Sequence, residues 1–213
     1  MIDCTADIKR YLKLLEKKLS VIKTQEINQI VNILKSAYDN GNTIFTMGNG
    51  GSGTIASHIV CDFNKGASAN LDRKFRVMCL NDNMPSVSAI ANDISYDAIF
   101  VEQLKNFLRP ADVVIGISSS GNSRNIIRAI DYANKKGAVT MGFCGFDGGR
   151  LKQTAQYAIH IAVDDMKVAE DIHSIISHMM MKMLRAALLK SEGKQRQSSS
   201  KPTPRKIISR GKK

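Results

Sequence analysis

Five short apolar runs recur along this chain, at Thr43–Met47, Arg76–Leu80, Asp112–Ile117, Ala138–Gly142 and Tyr157–Ile161, with helical periodicity between them. Runs this short, apolar on both faces, are the pattern of parallel strands covered on both sides by crossover helices. The alternation predicts an α/β architecture, a doubly wound parallel sheet between helical layers. Ahead of the first run, Asp7 to Asn40 reads as a long helical region. Tyr11, Leu12, Leu14, Leu15 and Leu19, then Ile27, Ile30, Val31, Ile33 and Leu34, recur at helical spacing, and Gly41 stops the run. After the last run, Asp165 to Leu189 reads as a long closing helix. Its Met179, Met180, Met181 and Met183 suit a core or a subunit interface.

The 213 residues are 43% hydrophobic, enough for one domain with a full core. The net charge of +12 is unevenly placed, because Lys190–Lys213 holds nine basic residues and one acidic one. The basic balance therefore describes a tail, expected to be flexible over 191–213, and the domain is 1–190. Nucleic-acid binding is disfavoured for the domain and is open only through that tail. Cys4, Cys61, Cys79 and Cys144 form no CxxC and no zinc-finger spacing, which fits reduced thiols in the cytoplasm. Cys61 and Cys79 sit in apolar contexts and are expected to act as small hydrophobes. The N-terminus has no signal-peptide pattern, and no apolar run approaches the ~18 residues of a membrane span.

Two loops carry the chemistry. Gly48-Asn-Gly-Gly-Ser52 and Gly116-Ile-Ser-Ser-Ser-Gly-Asn-Ser123 each end an apolar run and lead into a helical segment. Glycines let backbone approach a ligand, while hydroxyls, amides and helix N-termini aim donors at an anion. Asn49, Gly50, Gly51 and Ser52 in the first loop, and Ser118, Ser119, Ser120 and Ser123 in the second, are thus candidate ligands for a phosphorylated small molecule. Neither loop is Gly-x-Gly-x-x-Gly or Gly-x4-Gly-Lys-Ser/Thr, which disfavours a nucleotide cofactor. Beyond the first loop, His58 and Asp62 are four apart and share a helical face. The closing helix offers Glu170, His173 and His178, with Glu170 and His178 roughly on one side, two turns apart.

Taken with Ala91-Asn-Asp93 and Tyr96, Gly145-Phe-Asp-Gly-Gly149, and Asp171-Ile-His173 with His178, these motifs resemble the sugar isomerase (SIS) domain family over about residues 5–190. Within that family the chain is most similar to the phosphoheptose isomerases. The resemblance implies a flavodoxin-like sheet of about five parallel strands, a homotetramer and active sites at subunit interfaces. It implies aldose–ketose isomerisation of a sugar phosphate, foremost sedoheptulose 7-phosphate to D-glycero-D-manno-heptose 7-phosphate through an enediol. It further implies a serine loop on the phosphate, Asn92, Asp93 and Glu170 as substrate ligands, and Asp62 and His178 as base and acid, the reverse assignment being open. Some members carry zinc there, on positions matching His58, Asp62, Glu170 and His178, a set that suits zinc or another divalent cation.

Two departures stand out. The family usually has Glu at Asp62 and Gln at Glu170. Asp is one methylene shorter, so its carboxylate sits about 1.5 Å nearer the backbone, and Glu170 adds an anion beside the site. Two anions there imply either a shifted pKa or a cation between them. The alternative to an isomerase is a non-catalytic SIS protein that binds a sugar phosphate or assists a replication initiator.

Overall fold

The computed structural model describes residues 1–199. The N-terminal helical region is two helices: α1 spans Thr5–Leu19 and α2 spans Thr24–Asn40. The helical region expected there is interrupted at Ser20–Lys23, where Ser20, Val21, Ile22 and Thr24 are weak helix formers. The break lets Ile22 pack on the core while Val21 points outward. Gly41, with φ +74°, then caps α2 in the left-handed conformation.

All five expected strands form, each within two residues of its expected bounds: β1 Ile44–Gly48, β2 Val77–Cys79, β3 Val113–Ser118, β4 Val139–Cys144 and β5 Tyr157–His160. They make one parallel sheet in the order β2-β1-β3-β4-β5. This is the flavodoxin-like doubly wound order. Its direction reverses beside β1, and ligands of such folds bind outside the carboxyl ends of the strands at that reversal. The crossovers are α3 Gly50–Cys61, α4 Met84–Asp93, α5 Ile99–Phe107, α6 Arg124–Lys135 and α7 Gly149–Thr154, and α8 Met166–Ser199 closes the fold.

Every residue of β1 and β3 is buried, and successive side chains go to opposite layers. Ile44, Val113, Ile115 and Ile117 face a core built with α2, α3 and α8, including Leu34, Ile59, Phe63 and Ile172. Phe45, Met47 and Val114 face a second core with α5 and α6, including Phe100, Leu104, Ile126 and Ile130. Met180 belongs to the first core, whereas Met183 is exposed. Cys79 is buried as expected, but Cys61 is exposed at the end of α3, because the apolar residues around it in sequence lie on the other side of the helix. α8 continues past Lys190 to Ser199. The remainder of the basic segment expected to be flexible, 200–213, lies outside the described residues.

Candidate functional site

β1 and β3 are neighbours with Gly48 opposite Ile117, so the two loops leave the sheet side by side at its carboxyl edge. Close packing fixes both. A Cβ on Gly48 would fall 2.4 Å from the Ser52 carbonyl oxygen, and one on Gly121, with φ +67°, would fall 2.1 Å from that of Gly148. Only glycine allows these approaches. The Asn49 and Asn125 amides then tie one loop to the other, each donating to the other's Oδ1 at 3.0 and 2.9 Å. The Tyr96 hydroxyl donates to the same Asn49 oxygen at 2.9 Å.

Between the loops lies an open cleft of about 380 Å³. Asn49, Gly50, Gly51 and Ser52 line one side, and Ser118, Ser119, Ser120 and Ser123 the other. The seryl hydroxyls form a connected set: Ser118 Oγ lies 3.0 Å from Ser123 Oγ and 3.4 Å from Ser120 Oγ, and Ser52 Oγ lies 3.5 Å from Ser119 Oγ. The helices that begin at this cleft, α3 and α6, have no side-chain cap from Asn49 or Ser123. α4, away from the cleft, is capped by Asn83. Uncapped first turns leave N–H groups for an anionic ligand, and the helix dipoles favour one.

Two turns further along α3 lies a second cluster. His58, Asp62 and His178 bring one ligand atom each within 4.8 Å of one another. The two Nε2 atoms are 3.1 Å apart, and the rings meet edge to face. Asp62 Oδ1 is 3.4 Å from His58 Nε2, and Oδ2 is 3.9 Å from His178 Nε2. Asp62 Oδ2 is buried and accepts no hydrogen bond, while both histidines are half exposed. At Asp62 the α-helix gives way to a π-helix, Asp62–Ala67. Such turns displace backbone from its α-helical path and recur at functional sites. Arg185 on α8 holds the far end, its Nη1 donating to the carbonyls of Gly66 at 2.8 Å and Ala69 at 3.2 Å.

The fourth expected metal ligand, Glu170, is elsewhere. Its carboxylate lines the serine cleft and pairs with Lys167, Nζ to Oε2 at 3.0 Å. Its cation is therefore a lysine of its own chain, and eight residues of helix, about 12 Å, separate it from His178. Asn92 and Asp93 end α4, exposed, and do not line the cleft of their own chain. Asn125 and Lys167 escaped sequence reading. The lysine's one signal was its place three residues before Glu170 in a helix.

His173 is neither in the cleft nor in the cluster. It is wholly buried beneath β4, its ring 5.7 Å from that of Phe143, and neither ring nitrogen has a hydrogen-bond partner. Burial pushes its pKa down to about 4. The nearby Cys144 backbone opposes that shift slightly without completing a hydrogen bond.

A parallel sheet with this order, a serine loop beside its reversal and a closing helix returning to the same edge define the class. The chain belongs to the SIS domain family, whose model matches residues 7–145. Its relatives include a probable phosphoheptose isomerase of Thermoplasma acidophilum, 34% identical over 84% of this chain and 97% of the relative. Another is the phosphoheptose isomerase of Clostridium acetobutylicum, 35% identical over 78% of this chain and 86% of that one. Among solved structures, a phosphoheptose isomerase from Francisella tularensis superposes with a TM-score of 0.80, covering 87% of this chain and all of that one at 20% identity, a likeness of fold.

Proposed function

We propose that this protein is an isomerase that interconverts the ketose and aldose forms of a phosphorylated sugar, sedoheptulose 7-phosphate and D-glycero-D-manno-heptose 7-phosphate. The observation that carries the reading is the joining of the serine cleft to the His58–Asp62–His178 cluster by two helices. Ser52 and His58 are six residues apart on α3, about 9 Å of rise. A seven-carbon chain with a terminal phosphate, built of bonds of about 1.5 Å, reaches roughly 10 Å. The phosphate binds among Ser118, Ser119, Ser120, Ser123 and Ser52, and the carbonyl end meets the cluster. The 34% and 35% identical relatives named phosphoheptose isomerases support the same substrate.

Asp62 removes the proton from the carbon next to the carbonyl, and an enediol forms. His178 supplies the proton exchanged between the two oxygens, and the proton is returned to the neighbouring carbon. Both groups must lie within hydrogen-bond reach of those atoms. Asp62 Oδ2 is suited to accept because it is buried with no hydrogen bond of its own. The other carboxylate oxygen lies 3.4 Å from His58 Nε2.

The same three side chains fit zinc or another divalent cation. Two imidazole nitrogens and a carboxylate oxygen converge within 4.8 Å, and one carboxylate oxygen is an orphan. Bound on His58, Asp62 and His178, the ion would polarise the substrate carbonyl in place of the acid–base pair, because the same side-chain atoms cannot ligate it and transfer protons together. Within a single chain Glu170 stands outside this cluster, in the serine cleft. A non-catalytic binding protein would leave the cluster without a role.

A homotetramer accompanies this reading. Asn92 and Asp93 do not line the serine cleft of their own chain, so as substrate ligands they serve a neighbouring copy. Met84, Ile94 and Tyr96 beside them are exposed apolar surface for that contact. No helix among the described residues is long and apolar enough to cross a membrane, and a cytoplasmic location belongs to the proposal. The test is turnover of sedoheptulose 7-phosphate by wild type and by Asp62→Asn. Turnover absent in wild type, or undiminished in the variant, overturns the reading.

A further inference from the structure

The cleft beside the serine loop is rich in donors and poor in charge. Of the residues that line it, Lys167 and Glu170 are the ionisable ones. They face each other across the first turn of α8, Nζ 3.0 Å from Oε2. The pair is lopsided, with the glutamate side chain 14% exposed and the lysine 71%. Glu170 is also fixed from the other side. A Cβ on Gly51 would fall 2.6 Å from either of its carboxylate oxygens. A carboxylate therefore stands against the first turn of α3, the end of a helix that favours anions.

A phosphate monoester entering this cleft brings about two negative charges. The five seryl hydroxyls can orient it, but neutral donors do not balance its charge. Glu170, in place and largely buried, repels it. The cation that lines the cleft is Lys167, whose side chain is exposed enough to turn from Glu170 towards the ligand. A phosphoryl dianion offers that ammonium a larger charge than one carboxylate does, in a charge-assisted contact.

We propose that Lys167 is a further ligand-binding residue of this cleft. Glu170 holds it when the cleft is free of anion, and it transfers to the phosphoryl oxygens when a sugar phosphate arrives. Glu170 then acts as an internal competitor. It sets a threshold that a dianion passes and a singly charged sugar acid does not. The inference rests on the phosphosugar reading above and assigns the charge-balancing step within it.

Inorganic phosphate and sedoheptulose 7-phosphate are the probes, titrated calorimetrically and in turnover against the full chain. In Lys167→Met, phosphate affinity falls at least tenfold and KM rises at least tenfold, with kcat within twofold of wild type. Lys167→Arg stays within threefold of wild type on both. Glu170→Gln binds phosphate at least threefold more tightly, because the competitor is gone. Asp62→Asn binds phosphate as wild type does. Unchanged phosphate affinity and KM in Lys167→Met, in a protein whose wild type binds and turns over the sugar phosphate, overturns the inference and leaves the isomerase reading intact. Weaker phosphate binding in Glu170→Gln overturns the competitor role. A wild type that binds phosphate through Lys167 but turns over no sugar phosphate upholds the inference and removes the isomerase reading. A wild type that binds no phosphate at all overturns the inference together with the cleft assignment.

Discussion

Asp62 decides most of what this site can do. Its carboxylate is at once the proposed base and one third of a cation site. Asp62→Asn keeps the shape and loses the proton acceptor, so kcat falls by at least 10²-fold, within the range of general-base catalysis, with phosphate affinity preserved. Asp62→Glu restores the usual family residue. Here it overreaches, since the Asp62 oxygens already lie within 3.4 and 3.9 Å of the two imidazoles, and kcat drops about tenfold or more. A gain in turnover would show that the shorter acid is not what this pocket is built around. At the phosphate end, Ser119→Ala and Ser120→Ala each remove one donor to an anion, worth about 1.5–3 kcal/mol. KM should rise by about tenfold or more while kcat holds. Unchanged KM in both would remove the serine loop from the phosphate. The serines, His58, Asp62 and His178 were legible in the sequence, and so was the helical face shared by His58 and Asp62, but Asn125 and Lys167 were not. Distance along the axis was less legible: Glu170 and His178 lie on roughly one side of α8, but two turns separate them, so within one chain they face different parts of the site.

The elements explain how a short acid is put in place. α8 touches the π-helix at three levels: His178 meets Asp62, Met181 packs on Gly66, and Arg185 donates to the carbonyls of Gly66 and Ala69. The π-helix begins at the very residue that is one methylene shorter than usual. Arg185→Met keeps most of the packing and releases both carbonyls. It should lower stability by about 2 kcal/mol, the scale of a charged hydrogen bond. It should also lower kcat severalfold with KM unchanged, read by urea unfolding and steady-state kinetics. A loss of stability with kcat untouched would separate the clamp from catalysis. Strand and helix alternation, and with it the whole sheet, could be read from apolar runs because burial on both faces leaves an unbroken pattern. The π-helix could not be, because the Arg185 that donates to the carbonyls at its end lies 119 positions away. The break at Ser20–Lys23 had only a weak local signal, its run of poor helix formers, with apolar periodicity continuing on either side.

At the scale of the molecule, the closing helix ties the stability of the fold to pH through His173. Buried between α8 and β4 with both ring nitrogens unpartnered, it is held neutral, with a pKa of about 4 against 6.5 for an exposed imidazole. The unfolded chain therefore takes up a proton as pH falls through 6.5, while the folded chain does not until about pH 4. The unfolded state binds more protons in that window, so stability is full above pH 6.5 and is lost progressively on acidification towards 4. At 1.36 kcal/mol per unit the difference is about 3 kcal/mol, a large share of the ~5–15 kcal/mol that holds a domain together. His173→Leu is close in volume and apolar, and it leaves no ring nitrogen to protonate or to strand without a partner. At pH 7 the variant should equal or exceed wild type in stability. Between pH 7 and pH 4.5 it should lose about 2 kcal/mol less, with other acid-sensitive groups common to both proteins cancelling in the comparison. Urea unfolding at matched protein concentration measures this, because an oligomer's apparent stability depends on concentration. Parallel pH profiles for the two proteins would mean that His173 is protonated, or finds a partner, inside the folded chain.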